Sequence, residues 1–222
     1  MNISEFFAAS ETVKVYIDKD HTITKNNLKY YPVYLILFAS DTFVSKAIRV
    51  FTRSPVSHVS ISFDSSMTKI FSFGFRTNEN SLKDAGNRIE SLIVKKDRWL
   101  YSGDSTYVIY VKFLSMDSIT NMKKRIHDIY NNTEKYKFSV IGLFKYALHI
   151  PSESTYKMFC SQFVASLLQT GGVELDRKPS LYSPSQIISL GEVVYVQEGF
   201  VKDFSKKKLD KDMDRICQSY IS

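Results

Sequence analysis

The chain has 222 residues, 44% hydrophobic and 24% charged, which excludes a disordered polymer and fits one full-sized domain with its own core. Its net charge of +7 is spread through mixed-sign clusters such as Lys202-Asp203 and Lys211-Asp212, and no nucleic-acid motif accompanies it, so no nucleic-acid partner is expected. No apolar run approaches the ~20 residues of a membrane span, and the N-terminus lacks a basic segment leading into an apolar run. Stable membrane insertion is therefore not expected, and a reducing cytoplasm is the default location.

In chain order, residues 1–29 are polar and aperiodic apart from the alternation Val13 to Ile17, and read as an N-terminal extension carrying at most one short strand. From Tyr31 the run YPVYLILF predicts a buried strand. Asp41 then caps a helix to Phe51, with Phe43, Ala47, Ile48 and Phe51 at helical spacing. Ser54-Pro55 breaks it, and VSHVSISF (56–63) alternates strictly, as a half-buried strand does. KIFSFGF (69–75) is its expected antiparallel partner, and residues 77–88 read as a polar loop. Two strands follow, RIESLIV (88–94) and TYVIYVKF (106–113).

Helices are then predicted over Asp117–Tyr130, with Ile119, Met122, Ile126, Ile129 and Tyr130 on one face, over Ser139–Leu148, and from Phe159 to the stop Gly171-Gly172. A strand in EVVYVQEGFVKDF precedes a basic amphipathic helix bearing Leu209, Met213, Ile216, Cys217 and Tyr220. Strands first, helices after and a closing strand argue an α+β class, an antiparallel sheet packed against helices. The boundaries are an extension at 1–29, a main domain at 30–204 and the C-terminal helix at 205–222.

Two cysteines make no disulfide framework, and no Cys/His cluster has metal-ligand spacing, so neither a metal nor a cofactor is expected. Cys160 lies in the first turn of the helix FCSQFVASLL, whose Phe159, Phe163, Val164, Leu167 and Leu168 bury one side. A thiol there feels the positive end of the helix dipole, and the free N–H groups suit an oxyanion. Packing is the competing role for a cysteine on an apolar helix. His58 shares a strand face with Ser60 and Ser62, and Ser72 and Gly74 alternate with Phe71, Phe73 and Phe75 in the next strand. Coincident polar faces would set an imidazole among hydroxyls opposite a helix-start thiol.

SHVSIS, FSFG, the segment YKFSVIGLF and then FCSQFVASLL resemble the circularly permuted NlpC-like group of papain-fold proteins. That group includes YiiX-like hydrolases and lecithin:retinol acyltransferase-like enzymes. The resemblance spans residues 31–204, including LYSPSQI and the closing strand. It implies a permuted papain-like fold in which Cys160 is the nucleophile and His58 the base for cleavage of an amide, peptide or ester bond. Ser72 stands where such families keep a third, orienting residue, with Glu79 or Asn80 as alternatives. Ser161, Ser60 and Tyr34 are the expected oxyanion and substrate-pocket residues.

The implied substrates are a peptide, a peptidoglycan fragment or an acyl compound, which leaves a cell-wall peptide amidase and a lipid acyl hydrolase or transferase both open. The alternative is an inactive binding module of the same fold, which a Ser in the third position favours. His127 in KKRIHD reads as surface, His149 as a helix C-terminal partner, and His21 as part of the polar N-terminal stretch. Cys217 reads as packing, with a Cys160–Cys217 disulfide the oxidised alternative. Lys206-Lys207-Lys208 reads as a solvated helix start.

Overall fold

The computed structural model describes residues 15–40, 43–75, 85–93, 104–152 and 154–220. A tight hairpin of β1 (Ile23–Lys25) and β2 (Leu28–Ala39) comes first. Its two-residue turn is Asn26-Asn27, with φ of 51° and 61°, a left-handed pair that asparagine tolerates and that matches the twist of antiparallel strands. The isolated alternation Val13–Ile17 yields no strand over its described part, Val15–Ile17. Residues 15–29 nevertheless pack on the sheet: Val15 enters the core, and the Asp18 carboxylate accepts from Tyr34 Oη at 2.6 Å.

The remaining elements are α1 (Phe43–Thr52), β3 (His58–Ser62), β4 (Ile70–Phe75), β5 (Ala85–Glu90) and β6 (Thr106–Ser115), then α2 (Met116–Asn131) and β7 (Lys137–Phe138). They continue with α3 (Val140–Ala147), β8 (Lys157–Met158), α4 (Cys160–Thr170), β9 (Val194–Phe200) and α5 (Lys206–Ser219). The strands join in one sheet of order β8-β7-β5-β4-β3-β2-β6-β9, with β1 also on β2. All neighbours are antiparallel except β7 and β8. The fold is thus mixed α+β, built on one large, mostly antiparallel open sheet.

β2 is central, and that explains its unbroken apolar run: both its faces are covered. Val33, Leu35 and Leu37 pack with Val59, Ile61, Phe71 and Phe73 under α2 and α4. Tyr34, Ile36 and Phe38 pack on the other face with Ile109 and Val111, beneath Leu209 and Met213 of α5. Helix α2 buries Ile119, Met122, Ile126, Ile129 and Tyr130, the stripe its spacing predicts. Ser115 caps it by accepting from the Ser118 N–H at 3.1 Å. Helix α4 ends at Gly171, and Gly172 follows with φ +87°, a conformation that favours glycine.

β5 differs from the sequence reading. It spans Ala85–Glu90 instead of 88–94, because Gly74 pairs with Gly86 and Phe75 with Ala85, which lengthens the hairpin into what reads as loop. Residues 76–84 and 94–103, and with them Glu79 and Asn80, lie outside the described residues. So does Asp41, the expected cap of α1.

Candidate active site

His58 opens β3 and Cys160 opens α4. Val59 and Ile61 pin β3 beneath α4, and Phe73 of β4 meets Phe163 of α4 with ring centroids 5.0 Å apart. These contacts bring the start of the helix to the start of the strand, and the Cys160 side chain is close enough to act on the charge of His58. Phe159 is the N-cap and supplies no side-chain cap to α4, so the first-turn N–H groups meet Cys160 with their dipoles uncompensated by a capping side chain. Cys160 and His58 are only 5% and 9% exposed.

The other side of the imidazole is held by a residue that sequence reasoning missed. Nε2 of His58 lies 2.8 Å from Oε1 of Glu90. That carboxylate is fully buried and is served from four directions. Ser72 Oγ donates to Oε1 at 2.7 Å, Ser60 Oγ donates to Oε2 at 2.6 Å, and Arg88 Nε stands 3.2 Å from Oε1. Nε2 is thereby committed to Glu90.

The register explains how a residue two strands away reaches His58. Ile61 pairs with Phe71, which sets Ser60 beside Ser72. The intervening strand β4 carries only small side chains there, Ser72 and Gly74. A Cβ built on Gly74 would come 3.3 Å from Arg88 Cδ and 3.9 Å from His58 Cε1. Glu90 and Arg88 of β5 therefore extend across β4 to the imidazole.

Ser72 is corrected accordingly. It shares the buried cluster with His58, but the bond to His58 Nε2 is made by Glu90, and Ser72 Oγ holds that carboxylate in place. Its backbone N–H and C=O are fixed by Tyr130 Oη, each at 3.1 Å. A carboxylate is the stronger orienting group, because its charge also offsets an imidazolium.

The electrostatics follow from this geometry. Burial alone would push the His58 pKa down, but the Glu90 carboxylate and the Cys160 side chain raise it to about 10. Burial would push the Glu90 carboxyl up, and His58, Arg88 and Ser60 bring it down to about 2. The arrangement thus favours a charged imidazolium over a neutral ring.

The expected pocket residues fall in different places. Ser60 sits at the site as a ligand of Glu90. Ser161 is fully buried, and its Oγ donates to the Tyr182 carbonyl at 2.7 Å, so its hydroxyl anchors the segment 181–187 to α4. Tyr34 is elsewhere: it pairs with Ser62 on β3, four positions from the Phe38–His58 step, and its hydroxyl bonds Asp18 beneath α5. The register puts it on the same face of the sheet as His58, and it is the distance along β2 that keeps it out of the site.

The remaining candidates are held for other reasons. His21 is buried against Asp18, Nδ1 to Oδ2 at 2.9 Å, and that bond raises its pKa. His149 ends α3 with φ 57°, and burial beside Lys123 lowers the pKa of His127. Both cysteines are free. Cys217 packs on the α5 side of the sheet, where burial and Asp18 push its thiol up to about 11. Among the described residues no group of three or more His, Cys, Asp or Glu could hold a metal ion, and no helix is long and apolar enough to cross a membrane.

No protein-family model matches the chain, and no curated protein matches it.

Proposed function

We propose that the protein is a thiol hydrolase of permuted papain-like fold, with Cys160 as nucleophile, His58 as acid and base, and Glu90 as the group that orients His58. The observation that carries this reading is the buried imidazole held between a carboxylate and a thiol at a helix N-terminus. An apolar packing role for Cys160 would not call for two hydroxyl donors and a guanidinium, besides His58, on one buried carboxylate behind it. The serine in the third place, which favours an inactive binding module, loses its weight once Glu90 occupies that place.

In the reaction so assigned, the Cys160 thiolate adds to the carbonyl carbon of an amide or ester. The carbonyl electron pair moves to oxygen, and first-turn N–H groups of α4 stabilise the oxyanion. Collapse expels the leaving amine or alkoxide, which takes the proton from His58, and a thioester remains. His58, now neutral, removes a proton from water as its oxygen attacks the thioester. The tetrahedral adduct releases the acid and the thiolate, and His58 is again an imidazolium. Glu90 stays ionised throughout, fixing the ring and stabilising its charge.

The test is the rate of Cys160 alkylation by iodoacetamide across pH, together with mass-spectrometric trapping of an acyl-enzyme from an activated ester. A thiolate that persists well below the pH of a free cysteine and is lost in His58→Ala is the expected result. Alkylation that follows an ordinary thiol titration in both proteins would refute the assignment.

A further inference from the structure

Helices α1 and α3 pack against each other and carry an outer surface unlike the rest of the protein. Among the described side chains of α1, Lys46 and Val50 are exposed one turn apart, and Arg53 follows just past its end. On α3, Ile141 and Lys145 are exposed one turn apart, and Leu148, His149 and Ile150 follow just past its end. Val50 is 78% exposed, Ile141 69% and Leu148 70%. Apolar tips and cations thus stand side by side along and just beyond each helix, where an ordinary surface helix shows polar residues alone.

The charge is one-sided. No Asp or Glu occurs between residues 43 and 63 or between 135 and 152. At the borders, Glu134 pairs with Lys137 and Asp176 with Arg177; Asp41 and Glu153 lie outside the described residues. Helix α5 differs in composition, because Asp210, Asp212 and Asp214 lie among its cations, and Lys206, Lys208 and Arg215 pair with the first two. The +7 of the whole chain therefore does not explain α1 and α3. Tyr156, half exposed beside β7, adds an aromatic of the kind that settles at headgroup depth.

We infer that the α1–α3 face docks the protein on an anionic lipid surface, with the apolar tips entering the headgroup boundary and the cations meeting lipid phosphates. These segments fit a bilayer better than a protein partner. Their exposed apolar side chains lie among cations in both segments, a mix that suits shallow insertion at a charged boundary rather than one dry patch. Each cation near such a surface contributes about fivefold in affinity, from the ~1 kcal/mol that a basic residue gains there. The face lies next to the thiol's helix: Tyr146 of α3 meets Phe159, the residue before Cys160, at 6.4 Å between ring centroids. Docking does not depend on the hydrolase reading.

The experiment is co-sedimentation of the full chain with phosphatidylcholine vesicles, either neutral or containing about a quarter phosphatidylglycerol. Binding to the anionic vesicles alone, weakened by salt, is expected. Arg53→Gln with Lys145→Gln should weaken it roughly 25-fold. Val50→Ser with Leu148→Ser and Ile150→Ser should weaken it at least tenfold, and all these residues are exposed enough to spare the fold. Lys207→Gln with Lys211→Gln on α5 removes the same charge from a mixed-sign helix and should leave binding unchanged. Cys160→Ala should bind as the parent does, so that docking and catalysis stand or fall separately. Equal binding to neutral vesicles, an α5 control as weak as the α1–α3 variant, or indifference to the serine substitutions would each overturn the inference, the last by pointing to a polyanion without a bilayer.

Discussion

Replacing Glu90 by glutamine tests the site most directly, because it removes a charge and keeps the shape. In the parent, Oε1 stands 2.8 Å from His58 Nε2, 2.7 Å from Ser72 Oγ and 3.2 Å from Arg88 Nε. A hydrogen bond to a charged partner contributes about 1.5–3 kcal/mol. At about 1.4 kcal/mol per tenfold, losing it should cut the imidazolium–thiolate population by roughly 10- to 150-fold. The His58 pKa should fall, and the alkylation profile should move to higher pH. The same substitution removes the carboxylate that balances the buried cations of this cluster, so stability should drop by about 3–5 kcal/mol. The assay is the pH profile of Cys160 alkylation, with urea unfolding to confirm that the variant is folded at the chosen temperature. Glu90→Asp retains the charge and should recover part of the profile. If Glu90→Gln alkylates with the parent's pH profile, Glu90 does not govern the pair and the reasoning fails.

Ser72→Ala removes one donor to Glu90 and none to His58, so turnover should fall only a few-fold, by about 1 kcal/mol, measured as kcat/KM on an activated ester. Gly74→Val should do more, because even a Cβ there approaches Arg88 Cδ at 3.3 Å; a Val-bearing variant with parental kcat would contradict the packing described. Tyr130→Phe leaves the backbone groups of Ser72 and the Arg88 carbonyl without their hydroxyl partner and should cost about 1–3 kcal/mol in urea unfolding.

How much of this was legible in the sequence depended on whether the signal was local. The alternation in VSHVSISF and the stripe in FCSQFVASLL identify β3 and α4, and with them His58 and Cys160, because period and residue type are properties of neighbours in the chain. Glu90 was hidden by distance. It lies on β5, and only the pairing of β3, β4 and β5 tells which of several carboxylates reaches the imidazole. One signal was present: an acidic residue inside the otherwise strand-like RIESLIV, a position where a carboxylate is costly unless it is paired. The place one strand after His58, where the resembled families keep their orienting residue, is taken by Ser72, and Glu90 stands one strand further on. The smallness of Ser72 and Gly74 is itself the reason that a longer side chain crosses from the next strand. Tyr34 shares the face of His58, as its pairing with Ser62 shows, but stands four positions away along β2, and alternation reports the face of a residue without its distance from the site.

The charges of the cluster also close on themselves. Arg88 and Glu90 sum to zero, and His58 with Cys160 sums to zero whether the proton is on sulfur or on nitrogen. Proton transfer between thiol and imidazole therefore changes no net buried charge, which lets one packed site hold both states. Removing the His58 proton outright breaks that balance and leaves a buried negative charge. Because the folded pKa of His58 is raised from 6.5 to about 10, the stabilisation is complete below about pH 6.5 and is lost as pH climbs toward 10. The depressed carboxyl of Glu90 acts in the opposite sense. Its share is complete above about pH 4.5 and is lost as pH falls toward 2. The two shifts describe largely the same contact and count once, on the order of a few kcal/mol. Urea unfolding of the parent should therefore give its highest midpoint between about pH 4.5 and 6.5, with an alkaline decline that His58→Gln flattens. An alkaline decline of equal slope in the two proteins would mean that the charge lost lies outside this cluster.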